Sequence, residues 1–442
     1  MCSRVARQGT CDKCVLVQVS GERLNILFVS IYPASPPQYG GQRRLEGLMK
    51  ELSRRHDVSA AALFNPDVDP APSERAMREY CEEVTLVPAR GEGLAKRLVQ
   101  ARSLFSRKSF EAGYFALPAF QRALDRVLSR RVFDVVIISA GLFLTRYRYR
   151  PVNGNDSLPR LVLDEHNIEF DLQRQMTRIG GPLRRIYNLV NWPKLRREEV
   201  DDWRRLDGVT FTSKVDEERA RALAPAMRSA VVPSAVDLHS FRPSPGYPPS
   251  DGSTVMFFGI NDYFPNTDGI LFFIREVWPR LAASHPQARL KIVGPRPTPE
   301  ILAERNGRVE VTGAVGDVRP HLAQSAAVIV PLRLGGGTRL KIVEAMAMAK
   351  PVVSTAIGAE GIEVVHEKHL LLADEPAQFA AAVGRVLDDA KLAARLGEEG
   401  RALVTARYSW EAAARGLEEF IGEVLAPHVR SSPSTSRHRV EA

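Results

Sequence analysis

The chain has 442 residues, of which 44% are hydrophobic and 26% charged, with a formal net charge of +9. This length allows two or three domains of roughly 150 residues each, and the composition is that of a soluble globular protein rather than a fibrous or disordered one. The positive charge favours anionic partners, whether nucleotides, anionic lipid or nucleic acid, and four cysteines argue against a disulfide framework.

The two ends of the chain lack the hydrophobic periodicity of its middle. We expect residues 1–23 to form a disordered extension and the Ser-rich residues 427–442 to form a disordered tail. Cys11 and Cys14 form a Cys-x-x-Cys pair, but neither a second pair nor a nearby histidine completes a metal site. No secretory signal is evident, and the longest apolar stretch, 135–144, is about half of the ~20 residues that a membrane helix needs. We therefore expect a cytoplasmic protein.

The first domain is predicted at residues 24–241. An apolar run at 24–31 predicts a buried strand, and a loop with Gly40 and Gly41 leads into a helix that ends near residue 55. This is the opening of a Rossmann-like domain, although the glycine spacing is not the Gly-x-Gly-x-x-Gly of dinucleotide binders. Further strands are predicted at 58–64, 84–87, 134–139 and 160–163, and the helices between most of them indicate a parallel sheet.

A basic segment at 93–110 contains five basic residues and no acidic one. Leu94, Leu98, Ala101 and Phe105 share one face of the predicted helix. One interpretation is a helix that lies on anionic lipid. The other, which we favour, is a surface helix packed on the sheet.

His166 is the candidate catalytic residue of the first domain. It belongs to Asp164-Glu165-His166-Asn167, directly after a predicted strand, where open α/β sheets bind ligands. Histidine can donate or accept hydrogen bonds near neutral pH. The alternative is a structural histidine.

A charged helix is predicted at 182–206. Its charged residues are of mixed sign, which indicates a solvated face rather than a nucleic-acid-binding stripe.

The second domain is predicted at residues 254–407, after a linker at 242–253 with four prolines and two glycines. Its first strand ends at Gly259, and a strand at 289–293 ends at Gly294. A final helix is predicted at 408–426.

A glycine loop at 335–337 follows the buried strand predicted at 326–330 and precedes a helix expected to begin near Thr338. Free N–H groups at such a helix start favour an anion. Arg339 and Lys341 would add mobile positive charge, and Glu344 could accept hydrogen bonds from ribose hydroxyls. The alternative is a glycine-rich turn that only packs the helix on the sheet.

The segment 331–354 resembles the donor-binding segment of glycosyltransferase family 4, the retaining GT-B enzymes. Glu344 matches the second glutamate of the family signature, and Ala-Met-Ala and Pro-Val-Val follow it as in the family. Gly336 stands where the first glutamate is usual. A subgroup of the family is similar in carrying Gly-Gly-Gly-Thr-Arg-Leu-Lys here. The junction at 233–241 also resembles the family's, with Ser234 and Ala235 in place of Asn and Gly.

The resemblance implies an α/β, GT-B fold: two Rossmann-like domains with parallel sheets face each other across a cleft, and the C-terminal helix crosses back to the first domain. It implies that the second domain binds a nucleoside diphosphate sugar, with no cofactor and no metal, and that the first binds a sugar, glycan or lipid-linked acceptor, with retention at the anomeric carbon. Peripheral contact with anionic lipid at the inner face of the membrane is part of this expectation. Nucleic acid is not an expected partner, because no nucleic-acid-binding motif supports it.

The site residues that the resemblance implies come from both domains. His166 and Glu344 are the catalytic candidates. The family's usual Arg and Lys after the first strand of the second domain are absent after Gly259, so Arg333, Arg339 and Lys341 are the candidate replacements. The expected donor-binding residues are Gly40, Gly41, Gly259, Gly294, Arg333, Gly336, Gly337, Thr338, Arg339, Lys341 and Glu344. Two alternatives stay open: a nucleotide-sugar epimerase of the same fold, and a transferase-like binding protein without catalysis.

Overall fold

A computed structural model describes residues 23–91, 93–150, 158–177 and 181–426. The predicted extension (apart from its last residue), its Cys11–Cys14 pair and the predicted tail at 427–442 lie outside these residues.

The first domain is built on a seven-stranded sheet in the order β3-β2-β1-β4-β5-β6-β7, with every pair parallel. Its strands are apolar on both faces, as expected of strands covered by helices on two sides. Ile26 and Phe28 face one hydrophobic cluster, whereas Leu27 and Val29 face another. The strands are β1 (Asn25–Ser30), β2 (Asp57–Phe64), β3 (Glu83–Pro88), β4 (Val135–Ser139), β5 (Arg160–Glu165), β6 (Gly208–Phe211) and β7 (Ser229–Val231).

Helices cover both faces of this sheet. They are α1 (Gly40–Ser53), α2 (Ala71–Met77), α3 (Leu94–Leu104), α4 (Phe110–Tyr114), α5 (Pro118–Arg130), a 3₁₀ turn (Leu142–Arg146), α6 (Glu169–Met176), α7 (Pro182–Arg205) and α8 (Lys214–Arg221).

The second domain holds a six-stranded parallel sheet in the order β10-β9-β8-β11-β12-β13. One large cluster of buried side chains forms its core. The strands are β8 (Thr254–Phe258), β9 (Arg289–Val293), β10 (Val309–Gly313), β11 (Ala327–Val330), β12 (Val352–Ser354) and β13 (Leu371–Leu372). The helices are α9 (Phe264–Phe272), a π-helical turn (Phe273–Val277), α10 (Trp278–Ser284), α11 (Pro299–Ala303), α12 (Arg319–Gln324), α13 (Leu340–Ala347), α14 (Ala356–Ala359), α15 (Pro376–Asp388), α16 (Ala390–Arg407) and α17 (Trp410–Leu425).

The last helix, α17, returns to the first domain. Phe420 and Val424 pack so tightly on Gly208 that a Cβ there would lie 2.7 Å from Phe420 and 2.9 Å from Val424. Where the chain re-enters the first domain, Ser409 forms a parallel bridge with Val236, which lies where the chain leaves it. Two parallel-sheet domains and a returning C-terminal helix constitute the GT-B architecture, and the predicted fold class is confirmed.

Two helix predictions need correction. The apolar face of α3 does not pack on the sheet, because Leu98 is 65% and Phe105 94% exposed. The charged helix α7 is not solvated along its whole length, because Glu199 and Asp202 are buried against the first domain. The side chain of Leu94 lies outside what the structure describes. None of the described helices combines the length and the apolarity that crossing a membrane requires.

Candidate functional site

A cavity of about 1650 Å³ lies between the two domains and is lined by residues of both. Drug-sized ligands typically occupy about 300–1,000 Å³, so the cavity has room for a nucleotide and a second ligand. The starts of α1 and α13 meet in its wall, where a Cβ added to Gly40 would lie 3.2 Å from Leu340. A Cβ at Gly41 would collide with the Tyr32 hydroxyl. Both predicted glycines of the first domain therefore line the cavity.

His166 lies in the cavity wall just after β5, and buried polar groups fix its ring. Its Nε2 is 3.2 Å from Asp164 Oδ2 and 2.9 Å from Ser139 Oγ. Asp164 also accepts two hydrogen bonds from Arg44, at 2.5 and 3.1 Å. Burial opposes the negative charge of Asp164, but Arg44 and His166 hold the pKa of that carboxyl well below its usual range.

The ionised Asp164 favours a proton on Nε2 of His166, since a carboxylate only accepts hydrogen bonds. In that tautomer Nδ1 is the acceptor. A Cβ at Gly41 would lie 3.4 Å from Nδ1, so this atom faces the start of α1. The arrangement leaves His166 able to accept a hydrogen bond at the cavity.

The glycine loop is held by the first domain more closely than the sequence indicated. Gly335 N donates to Gln175 Oε1 at 3.0 Å, and Gly337 N donates to Asp216 Oδ2 at 3.2 Å. Thr338 N donates to Thr212 Oγ1 at 3.3 Å. These amide groups already have partners, so they are not free for an anion.

Two of the predictions for this loop are therefore wrong. The helix begins at Leu340 rather than near Thr338. Gly337 does not line the cavity, although Gly336 and Thr338 do. A Cβ at Gly337, where φ is +69°, would collide with the carbonyl oxygen of His166. This glycine is required for the contact between the domains.

Arg339 lines the cavity but is not mobile, as had been expected, because it is only 9% exposed. Its Nη1 donates to Gly337 O at 2.9 Å. Its Nε and Nη2 atoms are buried and have no hydrogen-bond partner among the described residues. Burial lowers the pKa of this guanidinium.

Lys341 also lines the cavity and is held in place. Its Nζ donates to Asn266 Oδ1 at 2.7 Å and lies 4.1 Å from the centre of the Phe257 ring. Burial, with a smaller contribution from the Arg339 charge, lowers the pKa of Lys341 to about 7. The two cations form a fixed pair.

Arg333, the third predicted cation, is directed elsewhere. It donates to both carboxylate oxygens of Asp268, at 2.6 and 2.9 Å, and lies over the Phe272 ring. Unlike its neighbours Leu332 and Leu334, it does not line the cavity. The prediction that it contributes to this site is wrong.

Gly259 and Gly294 line the cavity where β8 and β9 end. Both have positive φ, +149° and +141°, which side chains rarely tolerate. A Cβ at Gly294 would collide with the carbonyl oxygen of Gly259, so the two strand ends approach closely only because residue 294 is a glycine.

Glu344 is 3% exposed, lines the cavity and forms an ion pair with Arg43 of α1. Arg43, whose partner is 301 residues away in the chain, was not among the predicted site residues. Glu169, another residue of the cavity wall, was not predicted either. The one available signal for Glu169 was its position three residues after His166.

Among the described residues, no group of three or more His, Cys, Asp or Glu side chains is placed to hold a metal ion.

Comparison with known proteins gives matches to glycosyltransferases. Residues 252–389 match the family model described as Glycosyl transferases group 1. The chain is 23% identical over 374 residues to an uncharacterised 44.6 kDa protein in the cps region of Klebsiella pneumoniae, covering 80% of this chain and 89% of that one. It is 28% identical over 240 residues to a GDP-mannose-dependent alpha-(1-6)-phosphatidylinositol monomannoside mannosyltransferase of Mycobacterium tuberculosis, covering 49% of this chain and 61% of that one.

Solved structures share the fold at low identity. Sucrose-phosphate synthase from Thermosynechococcus elongatus superimposes with a TM-score of 0.68 at 18% identity, covering 91% of this chain and 99% of that one. Anabaena HepE, solved in complex with UDP-glucose, superimposes with a TM-score of 0.63 at 15% identity, covering 91% and 100%. The fold is that of GT-B proteins, and the family model and the mannosyltransferase match support a glycosyltransferase.

Proposed function

We propose that the protein transfers a sugar from a nucleoside diphosphate sugar to an acceptor, with retention at the anomeric carbon, as expected for family 4. The observation that carries the proposal is the pair Arg339 and Lys341. Buried polar atoms without partners are rare in folded proteins, and buried cations normally have anionic partners. Arg339 has two buried hydrogen-bond donors without a partner among the described residues, and it lines a cavity large enough for a nucleotide. A diphosphate supplies the missing acceptors.

The same pair gives a chemical reason for catalysis. Negative charge develops on the diphosphate as the bond to the sugar breaks. Cations that are already fixed in place stabilise that charge without rearranging. The scheme uses side-chain cations for this purpose and calls for no metal ion. Glu344 is placed to accept hydrogen bonds from the ribose, and His166 Nδ1 faces the cavity on the acceptor side.

Nucleotide binding tests the proposal. We would titrate the wild-type protein with UDP, GDP, ADP and dTDP by calorimetry and expect one or more to bind. Lys341→Met should weaken that binding by about tenfold or more, because a charge-assisted hydrogen bond contributes about 1.5–3 kcal/mol. Arg333→Gln is the matched control, since it removes a cation from the same loop that faces away from the cavity. Equal losses in both variants, or no binding by the wild type, would reject the site.

The two alternative activities predict different products. An epimerase interconverts the donor sugar without an acceptor, and an inactive binding protein consumes no donor. Neither alternative is supported by the comparisons. The assay uses the sugar form of whichever nucleotide binds. Chromatography of this nucleotide sugar and its products over time, with and without candidate acceptors, distinguishes a transferase, an epimerase and an inactive binding protein.

We further propose that the protein binds an anionic lipid surface, where it reaches its acceptor. The part of the protein that would bind the lipid is called the α3–α7 surface. The helices α3 and α7 lie side by side, and Lys194 Nζ donates to Ser103 O at 2.6 Å between them. The two helices and the residue that follows α3 expose seven large apolar side chains, between 38% and 94%: Leu98, Leu104, Phe105, Leu183, Ile186, Leu189 and Val190.

The charge of this surface favours an anionic bilayer as its partner. Residues 93–110 and 182–197 each contain five basic residues and no acidic one. Exposed apolar side chains surrounded by cations are typical of helices that lie in a membrane interface. Each basic residue near an anionic membrane contributes about 1 kcal/mol of attraction.

Vesicle co-sedimentation tests the α3–α7 surface. The wild-type protein should sediment with vesicles of phosphatidylglycerol but not with those of phosphatidylcholine. The double variant Phe105→Ser/Leu183→Ser should lose most of this binding and keep its nucleotide affinity. Val365→Ser is the matched control, because Val365 is 55% exposed on the second domain. Unchanged binding by the double variant would refute the surface.

A further inference from the structure

Glu169 is the first residue of α6 and lies in the wall of the cavity with His166 and Asn167. An acidic residue at a helix start usually accepts hydrogen bonds from the free N–H groups there. That role is already taken at α6. Glu199 accepts from Glu169 N at 2.8 Å and from Phe170 N at 2.9 Å. The Glu169 carboxylate is therefore not needed to cap its own helix.

Glu169 differs from the other carboxylates of the cavity. Eight acidic residues line it, and the other seven each accept a hydrogen bond or pair with a cation, as Glu344 does with Arg43, Asp262 with Arg296, and Asp317 with Arg319. The Glu169 carboxylate accepts none from the described part of the chain. Burial, and to a smaller extent the charge of Glu111, raise the pKa of Glu169 to about 7. A carboxylate held in this way lacks the donors that would stabilise its charge.

The segment that carries Glu169 also contacts the loop that carries Arg339. A Cβ at Gly337 would collide with the carbonyl oxygen of His166, and Arg339 Nη1 donates to the carbonyl oxygen of the same glycine at 2.9 Å. The turn of the first domain that leads into Glu169 thus lies against the loop that holds the unmatched cation of the second. The group attached to a diphosphate at Arg339 would be the sugar.

No acidic side chain extends from the glycine loop toward this position. Gly336 lines the cavity without a side chain, and a Cβ there would be 3.5 Å from the side-chain amide of Asn167, an ordinary contact. Asn167 and Glu169 belong to the same turn. The first domain therefore supplies a cavity-lining carboxylate from the segment that contacts the glycine loop, whose own residues 335–337 carry none.

We propose that Glu169 binds hydroxyl groups of the donor sugar, so that the first domain, and not the glycine loop, supplies the carboxylate that recognises the sugar. This inference rests on the proposed function. Sugar hydroxyls are hydrogen-bond donors, and an ionised carboxylate with free oxygens can accept two of them.

The test compares each nucleotide with its sugar form, using UDP with UDP-glucose and GDP with GDP-mannose in calorimetric titrations. Glu169→Gln should bind the bare nucleotide as the wild type does. It should bind the nucleotide sugar at least about tenfold more weakly than the wild type. Asp171→Asn is the matched control, because it removes a carboxylate from the same helical turn that faces Arg219 at 4.0 Å instead of the cavity. It should bind both ligands as the wild type does.

The outcomes separate the two proposals. If the wild type binds the nucleotide and Glu169→Gln loses no affinity for the nucleotide sugar, only the assignment of Glu169 fails. If Glu169→Gln weakens the binding of the bare nucleotide and of the nucleotide sugar equally, the substitution acts on the fold of the site, and the assignment also fails. If the wild type binds none of the four ligands, the proposed function fails and this inference with it. Thermal melting of both variants shows whether they are folded.

Discussion

Arg339 and Lys341 are close in sequence but hold their charges in different ways. Arg339 keeps its charge despite burial, because a guanidinium cannot be deprotonated in proteins. Lys341 loses its proton far more easily, with a pKa lowered to about 7 by burial and the neighbouring guanidinium. The sequence singled out both cations as site candidates, and both line the cavity. It could not show that they are fixed, because Asn266 and Phe257, which hold Lys341, lie on other elements of the second domain.

The titration of Lys341 predicts a pH dependence of nucleotide binding. Above pH 7 the free protein has a largely neutral Lys341, and a bound diphosphate favours the charged form. Binding should therefore take up a proton, and the affinity for the nucleotide should fall between pH 7 and pH 9. Calorimetry in buffers with different ionisation enthalpies measures this uptake. Lys341→Met should show a smaller slope, and an affinity that is flat with pH in the wild type would contradict the prediction.

At the scale of elements, α7 shows what a charge pattern cannot reveal. Its acidic and basic residues, of mixed sign, indicated a solvated face, but the carboxylate of Glu199 caps α6 and is buried. Nearby, Glu165 accepts from Trp203 Nε1 at 3.0 Å. The start of α13 was predicted two residues early for a related reason. Thr338 looked like a helix start, but Thr212 of the first domain holds it outside the helix. In both cases, contacts with residues distant in the chain determine the structure that was not predicted.

The buried carboxylates between α6 and α7 predict that stability falls as the pH rises. Burial raises the pKa of Glu165 and of Glu199 well above the usual value, and the charge of Glu165 raises the pKa of Glu199 further. The folded protein then holds a proton that the unfolded chain releases above about pH 4.3. Unfolding free energy should decrease as the pH rises from there through the raised values.

Thermal melting at pH 5.5 and pH 8 measures this effect. Glu165→Gln keeps an oxygen that can accept from Trp203 and removes the charge. It should raise Tm at pH 8 by about 2 °C or more and reduce the difference between the two pH values. Glu74→Gln, on the exposed helix α2, is the control. A Glu165→Gln protein that is less stable than the wild type at pH 8 would count against the prediction.

For the molecule as a whole, the sequence predicted the two parallel sheets and the returning helix, because buried strands and glycine turns leave local patterns. It did not predict which residues of one domain would touch the other. Gln175, Asp216 and Thr212 hold the glycine loop from 121 to 160 residues away in the chain. Such contacts depend on how the domains are arranged, and no local pattern records that arrangement. The same reason explains why Arg43 and Glu169 were missed.

The bridge between Val236 and Ser409 has a consequence for motion. The polypeptide leaves the first domain beside one of these residues and re-enters it beside the other. The two chain segments that connect the domains therefore lie side by side at this bridge. A rotation of one domain against the other would use these two segments as its hinge. Opening would then break the hydrogen bonds that Gly335 N and Gly337 N donate to Gln175 and Asp216, those between Thr338 and Thr212, and the ion pair between Arg43 and Glu344. Admission of a substrate by such a rotation therefore requires all of these contacts to break together.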